Sequence, residues 1–275
     1  MEKRLEKVYG GHCVKFFVTS DIHSFLEPLK QALDEAGFDR NNPEHWLVCC
    51  GDVFDRGPDS DLLLQFLMSL ERKILVKGNH DLLLEDCCKR EFPYSHDFSN
   101  GTKKTIDDIG GAGEGYAFDM CCQRTWDKTA AYRASLVNYF ETEHYVFCHA
   151  WPAVNVAYDE SVVSKPWYRI GKTYYYKDDW RTATDFEWEE AMWCNPFEMT
   201  ELGLNKTNKW LVVGHWHCST GWAKKEGLSE FGEDAKWDIF KDDAQKVIFL
   251  DKCTAYTGQV NVLVLEDDFL TKETI

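Results

Sequence analysis

Five short apolar runs recur along the chain, and each is followed by a polar side chain of a metal-binding type. Their length and their content of valine, leucine and aromatic residues predict buried strands. Open α/β sheets hold their ligands beyond the carboxyl ends of the strands, so we expect these side chains to meet at one edge. The runs are residues 14–18 before Asp21 and His23, 46–50 before Asp52, 74–76 before Asn79, 145–148 before His149, and 210–213 before His215.

Helical patterns separate the first three runs. Ser24 is a candidate cap for a helix that stops at Gly37. A second helix is predicted to open at Asp59 or Ser60, and a third near Asp81. The alternation of strand and helix favours right-handed βαβ units over the N-terminal third and places the chain in the α/β class.

Two longer, irregular and aromatic-rich segments, at about 90–135 and 151–208, interrupt this alternation. Neither has the proline- and serine-rich composition of a linker. Both are therefore interpreted as insertions or a cap over the active edge of a single domain that spans residues 1–275. The tail returns to strand patterns at 247–251 and 260–265.

The net charge of -16 at pH 7 limits the kinds of partner. A protein that follows a nucleic-acid backbone needs a basic footprint, so no nucleic-acid polymer is expected. A phosphorylated substrate stays compatible, because bound cations can supply local positive charge. The N-terminal apolar run is too short for a signal peptide, and no run approaches the ~18 residues of a transmembrane helix. We expect a cytoplasmic protein without a membrane partner.

The eleven cysteines occur as adjacent pairs and as singletons, with no Cys-x-x-Cys spacing. Structural zinc sites need a gap between cysteines, and neighbouring cysteines rarely bridge each other. The odd count in a chain of this size predicts reduced thiols rather than disulfides.

The donors that follow the five runs suit two divalent cations about 3.5–4 Å apart, which require a bridging carboxylate, further oxygen ligands and neutral imidazoles. Asp21 and His23, two residues apart, point to one face. Asp52 follows a glycine that permits a sharp turn. The remaining donors are the amide oxygen of Asn79 and the nitrogens of His149 and His215.

The motifs read Ser20-Asp21-Ile22-His23, Gly51-Asp52-Val53-Phe54-Asp55-Arg56-Gly57, Gly78-Asn79-His80-Asp81, Cys148-His149-Ala150 and Gly214-His215-Trp216-His217. As an ordered set they resemble the calcineurin-like metallophosphoesterases. The Asp-Arg-Gly of the second motif is similar to the phosphoprotein phosphatase branch, and within it to the lambda-type protein phosphatases and the symmetrical diadenosine tetraphosphatases. The resemblance covers about residues 12–85, 145–152 and 210–265. It implies a four-layer αββα sandwich of two mixed sheets with flanking helices.

The resemblance also implies the role of each residue. A water or hydroxide between the two metals would attack phosphorus in line with the leaving oxygen. Arg56 would clamp the phosphoryl oxygens, and His80, paired with Asp55, would protonate the leaving alkoxide. The substrate contacts would be Arg56, Asn79 and His80. The first metal would be held by Asp21, His23 and Asp52, and the second by Asp52, Asn79, His149 and His215.

The sequence departs from the phosphoprotein phosphatase pattern in two places. The last motif carries a second histidine, His217, where that branch commonly has one. In other branches the second histidine binds the first metal, so His217 is a candidate seventh ligand. That branch also usually carries another phosphate-binding arginine after the fourth motif, and residues 192–196 contain none. Arg169 and Arg181 are the candidate replacements.

The expected reaction is metal-dependent hydrolysis of a phosphate ester. A phosphomonoesterase of the serine/threonine protein phosphatase type is the first choice. A dinucleoside polyphosphate (diadenosine tetraphosphate) hydrolase is the alternative, and a non-catalytic scaffold on the same fold is a second alternative. Manganese is the first choice of metal, and iron, zinc or cobalt also suit the mixed oxygen and nitrogen donors. The oligomeric state stays open.

Other polar residues have structural interpretations. Asp251 is expected to shape a tight turn, and Lys103 and Lys104 to form an exposed pair. The tyrosines at 174–176 and the tryptophans of 151–210 are expected to pack in the core or cap. The histidines outside the motifs, which are expected at solvent, are His12, His45, His96 and His144.

Overall fold

A computed structural model describes residues 14–113, 117–159 and 171–269 of the chain. The first sheet is built from β1 (Val14–Thr19), β2 (His45–Cys50), β3 (Lys73–Val76), β4 (Leu136–Val137) and β12 (Leu263–Asp267). The strand order is β12-β1-β2-β3-β4. Only the edge strand β12 runs antiparallel to its neighbour, and β1 to β4 are parallel. The predicted N-terminal βαβ units are therefore confirmed.

The second sheet is built from β5 (Phe140–Glu141), β6 (Tyr145–Phe147), β9 (Trp210–Val213), β10 (Phe240–Asp242) and β11 (Val247–Phe249). Its order is β10-β11-β9-β6-β5, with a parallel centre and antiparallel edges. Two further strands, β7 (Asn155–Asp159) and β8 (Gly171–Tyr175), pair antiparallel as a separate two-stranded sheet. Both large sheets are mixed, as predicted.

The alternation of side chains along β2 shows how the layers stack. Val48 and Cys50 belong to the core between the two sheets, where they meet Ile248 of β11. Leu47 and Cys49 point the other way and pack under helices. A strand that is apolar on both faces is buried on both, which is why these runs are continuously hydrophobic. The fold is the predicted four-layer αββα sandwich.

Within the described residues, seven helices lie over the outer face of the first sheet or in the segment that joins it to the second. They are α1 (Leu26–Glu35), α2 (Ser60–Ser69), α3 (Asn79–Arg90), α4 (Ser95–Asn100), α5 (Thr102–Gly110), α6 (Phe118–Lys128) and α7 (Ala130–Arg133). The first long segment thus supplies α4 to α7, and its Ile106 and Cys122 join the core formed by Leu29 and Leu63.

The predicted cap of α1 is wrong. Phe25 occupies the cap position, and the hydroxyl of Ser24 hydrogen-bonds that of Ser60, at 2.8 Å. A tertiary hydrogen bond has taken the side chain that a local cap would have used. The predicted stop is confirmed, because α1 ends just before Gly37, whose φ is +81°. Asp59 precedes α2 as predicted, but its carboxylate accepts from the backbone of Leu26 at 3.4 Å.

The outer face of the second sheet is covered by α8 (Asp185–Ala191), α9 (Pro196–Glu201) and α10 (Cys218–Glu226), and a short α11 (Thr254–Thr257) precedes β12. The described residues of the second long segment supply β7, β8, α8, α9 and a 3₁₀ turn at Trp180–Thr182. Trp151, Trp180 and Trp188 are buried in this core, which confirms the prediction for these three tryptophans. The prediction is wrong for Trp193 and Tyr175, whose side chains are exposed.

The remaining predictions concern the cysteines, the membrane-spanning helices and the histidines of the described residues. Their ten cysteines are all free thiols, and nine of them are buried. Across the same ranges, no helix combines the length and the apolar character needed to cross a bilayer. His96 and His144 have largely exposed side chains, whereas His45 is half-buried against Phe38. His12 lies outside the described residues.

Candidate dinuclear metal centre

The predicted ligands do meet at one edge of the sandwich, where they follow the ends of β1, β2, β3, β6 and β9. Asp21, His23, Asp52 and His215 all have left-handed backbone, with φ between +50° and +65°. Such a conformation is strained by roughly 1–2 kcal/mol for a residue other than glycine. Hydrogen bonds between neighbouring loops hold it, since the amides of Asp21 and His23 donate to the carbonyls of Gly51 and Asp52.

Two glycines let the loops approach one another closely. A Cβ atom on Gly78 would lie 2.3 Å from Oδ1 of Asp52, and one on Gly214 would lie 2.2 Å from Oδ2 of Asp21. Real Cβ atoms do not come so close to other atoms. The glycines that precede Asn79 and His215 are therefore needed for packing against the carboxylates, not only for turning the chain.

Asp52 lies between two groups of donor atoms. Its Oδ1 is 3.4 Å from Nε2 of His149, and its Oδ2 is 4.0 Å from Nε2 of His23 and 3.8 Å from Nε2 of His80. Burial opposes ionisation of Asp52, but the surrounding histidines, His149 foremost, outweigh it and lower the pKa of the carboxyl. The geometry gives Asp52 the position of a bridging carboxylate.

On one side of Asp52, three donors converge on a small space. Nε2 of His149 lies 2.8 Å from Oδ1 of Asn79 and 3.1 Å from Nδ1 of His215. Nδ1 of His149 donates to the carbonyl of Cys50 at 2.9 Å, which turns Nε2 towards Asn79 and His215. Burial, followed by the neighbouring His149, lowers the pKa of His215 to about 3, so this ring is neutral. Oxygen and nitrogen donors that converge in this way fit a cation.

On the other side of Asp52, Asp21 and His23 are both buried. Nδ1 of His23 donates to the carbonyl of Phe54 at 2.9 Å, which turns Nε2 towards Asp52. Burial lowers the pKa of His23 well below its ordinary value. Burial and the neighbouring Asp52 raise the pKa of Asp21 to about 7. Two buried carboxyls beside neutral imidazoles form a mixed oxygen and nitrogen donor set that suits divalent transition metals.

His80, Asp55 and Arg56 lie beside this donor set. Nδ1 of His80 donates to Oδ2 of Asp55 at 2.7 Å. Burial lowers the pKa of His80, but the charge of Asp52 and the bond to Asp55 outweigh it, and the net pKa is raised. The guanidinium of Arg56 donates to Nε2 of His23 at 3.0 Å and to Nε2 of His80 at 3.3 Å. Arg56 therefore spans the donor set and the His80–Asp55 pair.

The profile of the calcineurin-like phosphoesterase family matches residues 14–250. The chain belongs to this family. The five motifs that predict the metal ligands all lie within the matched residues.

Curated relatives of this calcineurin-like phosphoesterase match over a short stretch. The symmetrical bis(5'-nucleosyl)-tetraphosphatase of Pseudomonas fluorescens (strain SBW25) is 45% identical over 69 residues, which is 25% of this chain and 24% of that protein. The enzyme of the same description from Proteus mirabilis (strain HI4320) is 42% identical over 69 residues, again 25% and 24%. The match spans about a quarter of the length of these relatives.

Among solved structures, a cold-active protein tyrosine phosphatase is similar over 96% of this chain and 78% of the phosphatase chain. The sequence identity is 12% and the TM-score is 0.50. This likeness shows the shared fold.

The candidate seventh ligand, His217, lines the cleft above the metal-binding donors but belongs to neither group of donors beside Asp52. His217 precedes α10 and lines the cleft, and its Nδ1 lies 3.3 Å from Oε1 of Glu230. Burial lowers the pKa of His217. Its role as a ligand stays a prediction.

Of the two candidates for the second phosphate-binding arginine, the one within the described residues, Arg181, lies away from the cleft over the donor set. Arg181 makes two hydrogen bonds to the carboxylate of Glu141, at 2.7 and 2.8 Å, and does not line the cleft. The prediction that Arg181 binds phosphate is therefore wrong, because its guanidinium is already bound to the carboxylate of Glu141. Arg169 lies outside the described residues. Lys104 donates to the carbonyl of Arg56 at 3.4 Å, and Lys103 pairs with Asp107.

The cleft over the donor set has a volume of about 260 Å³. Its walls include the half-exposed Trp193, whose ring centroid is 6.5 Å from that of His215, and Asn100, at the end of α4. Asp251 also faces the cleft and accepts from the amide of Cys253 at 2.6 Å, which fits its predicted turn. A larger groove of about 530 Å³ is lined by Arg133 and Arg181, and by none of the predicted metal ligands.

Sequence reasoning missed two site residues, Thr102 and Thr105. Both are buried, and both hydroxyls donate to the carboxylate of Asp55. The signal that could have found them is the adjacent Asn100-Gly101, which is weakly similar to the family pattern.

Proposed function

We propose that this chain is a phosphoester hydrolase that works with two divalent cations and acts on phosphomonoesters, in the manner of the serine/threonine protein phosphatases. The position of Asp52 carries the proposal, because its two oxygens face two separate groups of nitrogen donors. A carboxylate shared in this way is what a dinuclear site requires.

The cation-holding side chains divide between the two sides of Asp52. One site would use Asp21, His23 and Asp52, with His217 as a further ligand. The other would use Asp52, Asn79, His149 and His215. Two bound cations lower the pKa of a water molecule between them and stabilise the charge of the phosphoryl group. Manganese is our first choice for this donor set, with iron, zinc or cobalt as alternatives.

The remaining side chains bind the phosphoryl group and handle the proton. The guanidinium of Arg56 presents a planar fork that matches two phosphoryl oxygens. Nε2 of His80 faces the cleft and would donate a proton to the leaving oxygen. Asp55 holds the ring of His80 through Nδ1, which fixes the direction in which Nε2 points.

The charge of the cleft favours a single phosphoryl group. Among the described residues that line it, Arg56 is the one lysine or arginine, and the carboxyl of Asp251 faces it. One fork suffices for a phosphomonoester. A polyphosphate chain would place further negative charges where the described walls offer no side-chain cation to pair with them.

A dinucleoside polyphosphate hydrolase is the second candidate. The curated relatives described as symmetrical bis(5'-nucleosyl)-tetraphosphatases favour it, although the match covers about a quarter of their length. The exposed ring of Trp193 beside His215 would offer a stacking surface to a nucleobase. Neither class of substrate requires a membrane or a nucleic-acid polymer, and the free thiols fit a cytoplasmic protein.

The experiment is a side-by-side assay of manganese-reconstituted protein on a phosphoserine peptide and on diadenosine tetraphosphate. The Asp52→Asn variant serves as the control for contaminating phosphatase. Faster hydrolysis of the peptide supports our proposal, and faster hydrolysis of the dinucleotide supports the second candidate. Hydrolysis of neither, together with an Asp52→Asn variant that keeps its biological effect, would support a scaffold instead.

A further inference from the structure

The carboxylate of Asp55 is fully buried, and it is held by more than its catalytic partner. Its Oδ2 accepts from Nδ1 of His80 at 2.7 Å and from the hydroxyl of Thr102 at 2.6 Å. Its Oδ1 accepts from the hydroxyl of Thr105 at 2.9 Å. The backbone amide of Asp55 donates to the same Thr105 oxygen at 3.0 Å. A buried carboxylate needs such partners, so both threonines matter to where Asp55 lies.

Both threonines come from the beginning of α5. They are three positions apart, so their side chains lie on one face of the helix. They are β-branched and buried, which restricts the rotation of their hydroxyls. Ser60 of α2 donates to the Thr105 hydroxyl at 3.4 Å and hydrogen-bonds Ser24 at 2.8 Å. The hydrogen-bond network around Asp55 therefore extends to α2.

The backbone fixes α5 against the loop that carries Asp55. Gly101, which precedes α5, has a φ of +91°. A Cβ atom at this position would lie 2.3 Å from the backbone nitrogen of Arg56. The helix therefore approaches the Asp55–Arg56 peptide as closely as a glycine permits, and the threonine hydroxyls reach the carboxylate directly.

We infer that Thr102 and Thr105 are positioning residues for the proton donor, and that the inference rests on the proposed function. The Thr102 hydroxyl shares Oδ2 of Asp55 with His80, so it fixes the oxygen that His80 binds. That bond in turn holds Nδ1 of His80 against Asp55 and directs Nε2, the atom that would give up the proton, into the cleft. The first long segment, which supplies α5, is therefore part of the catalytic apparatus.

A positioning role can be separated from a structural one by the leaving group of the substrate. A phosphoserine peptide loses an alkoxide that needs a proton, whereas 2,4-dinitrophenyl phosphate loses a phenolate that leaves without one. In the manganese-reconstituted protein, we expect Thr102→Val to lower kcat on the peptide about 10- to 100-fold, part of what a general acid contributes. We expect kcat on the dinitrophenyl ester to stay within a factor of about two, since no proton transfer is required.

Three further variants complete the test. Thr102→Ser keeps the hydroxyl and should restore hydrolysis of the peptide. Thr105→Val should give the same selective loss, and it keeps the test available should Thr102→Val not fold. Thr129→Val is the matched control, because Thr129 is buried in the same helical layer but donates to the backbone of Thr125. It should leave both substrates unchanged.

An equal loss on both substrates, or no loss on either, would overturn the positioning role while the proposed function stands. A wild-type protein that hydrolyses neither substrate would overturn the proposed function and the positioning role with it.

Discussion

Nδ1 of His149 donates a hydrogen bond to the carbonyl oxygen of Cys50, and the two atoms are 2.9 Å apart. Cys50 ends β2 in the first sheet, whereas His149 follows β6 in the second. The bond therefore joins the two sheets at the site and leaves Nε2 of His149 free to bind a cation. The centre depends on the packing of the sandwich as much as on its ligands.

The first prediction concerns His149 itself. His149→Ala removes a nitrogen ligand from one side of Asp52, so we expect manganese affinity at that side to fall by at least about 100-fold. Isothermal titration of the metal-free protein with manganese measures it. His96→Ala, at an exposed histidine, is the matched control. Two undiminished binding sites in His149→Ala would show that His149 is not a ligand.

The second prediction concerns the close approach of Gly78 to Asp52. Gly78→Ala places a Cβ atom 2.3 Å from Oδ1 of Asp52, so the carboxylate must move. A displacement of about 1 Å at a catalytic group costs roughly 100-fold, and we expect kcat/KM to fall by that much. Gly227→Ala is the control. Its backbone is also left-handed, so alanine is strained there, but the added Cβ atom meets only open space. Unchanged kinetics in Gly78→Ala would contradict the geometry.

The third prediction concerns the fork of Arg56. Arg56→Lys keeps the charge but loses the planar pair of donors, so a charged hydrogen bond of about 1.5–3 kcal/mol is lost. We expect kcat/KM for a phosphomonoester to fall about 10- to 100-fold. Steady-state kinetics of the holoenzyme measure it, with the exposed Arg40→Lys as control. A lysine variant as active as the wild type would mean that Arg56 does not grip the phosphoryl group.

The fourth prediction concerns pH and stability at a distance from the metals. The hydrogen bond to Asp267 raises the pKa of His144 above its ordinary value of 6.5. Burial opposes ionisation of Asp267, but the bonds from His144 and Thr142 outweigh it and lower its pKa below 3.8. The His144 contribution is complete below pH 6.5 and is lost as the pH rises through the raised pKa. The Asp267 contribution is present above pH 3.8 and is lost as the pH falls through the lowered pKa.

The pair therefore stabilises the protein most between about pH 4 and 6.5. Because His144 is largely exposed, we expect a contribution of no more than about 1 kcal/mol. Urea unfolding at pH 5.5 and pH 8.5 measures it. The difference in unfolding free energy between wild type and His144→Gln should narrow at the higher pH. A gap that widens with pH would reverse the assigned direction of the shift.

The convergence of the candidate ligands could be predicted from sequence, because each follows the end of a strand within a few residues. Asp21 and His23 follow β1, and the strand ends of a parallel sheet meet at one edge without further information. Thr102 and Thr105 could not be predicted in the same way. They reach Asp55 across 47 and 50 residues, and only the docking of α5 brings them together.

The same reason explains the error at Ser24. Its local sequence favours a helix cap, but its hydroxyl is bound to Ser60, 36 residues away. Arg181 is a second example, because its guanidinium suits a phosphate but is already paired with Glu141. A local sequence pattern predicts which residue types reach the edge of the sheet. Contacts between distant segments then decide which of those side chains can bind a metal or a phosphate.

The most direct test of the dinuclear centre is the metal content of the purified protein, measured by mass spectrometry alongside phosphoester hydrolysis. We predict two divalent ions per chain, activity that stops on chelation and returns with manganese, and an Asp52→Asn variant that folds but loses at least one ion and its activity. Hydrolysis that continues at the same rate after all metal has been removed, or an Asp52→Asn variant that equals the wild type, would contradict the account.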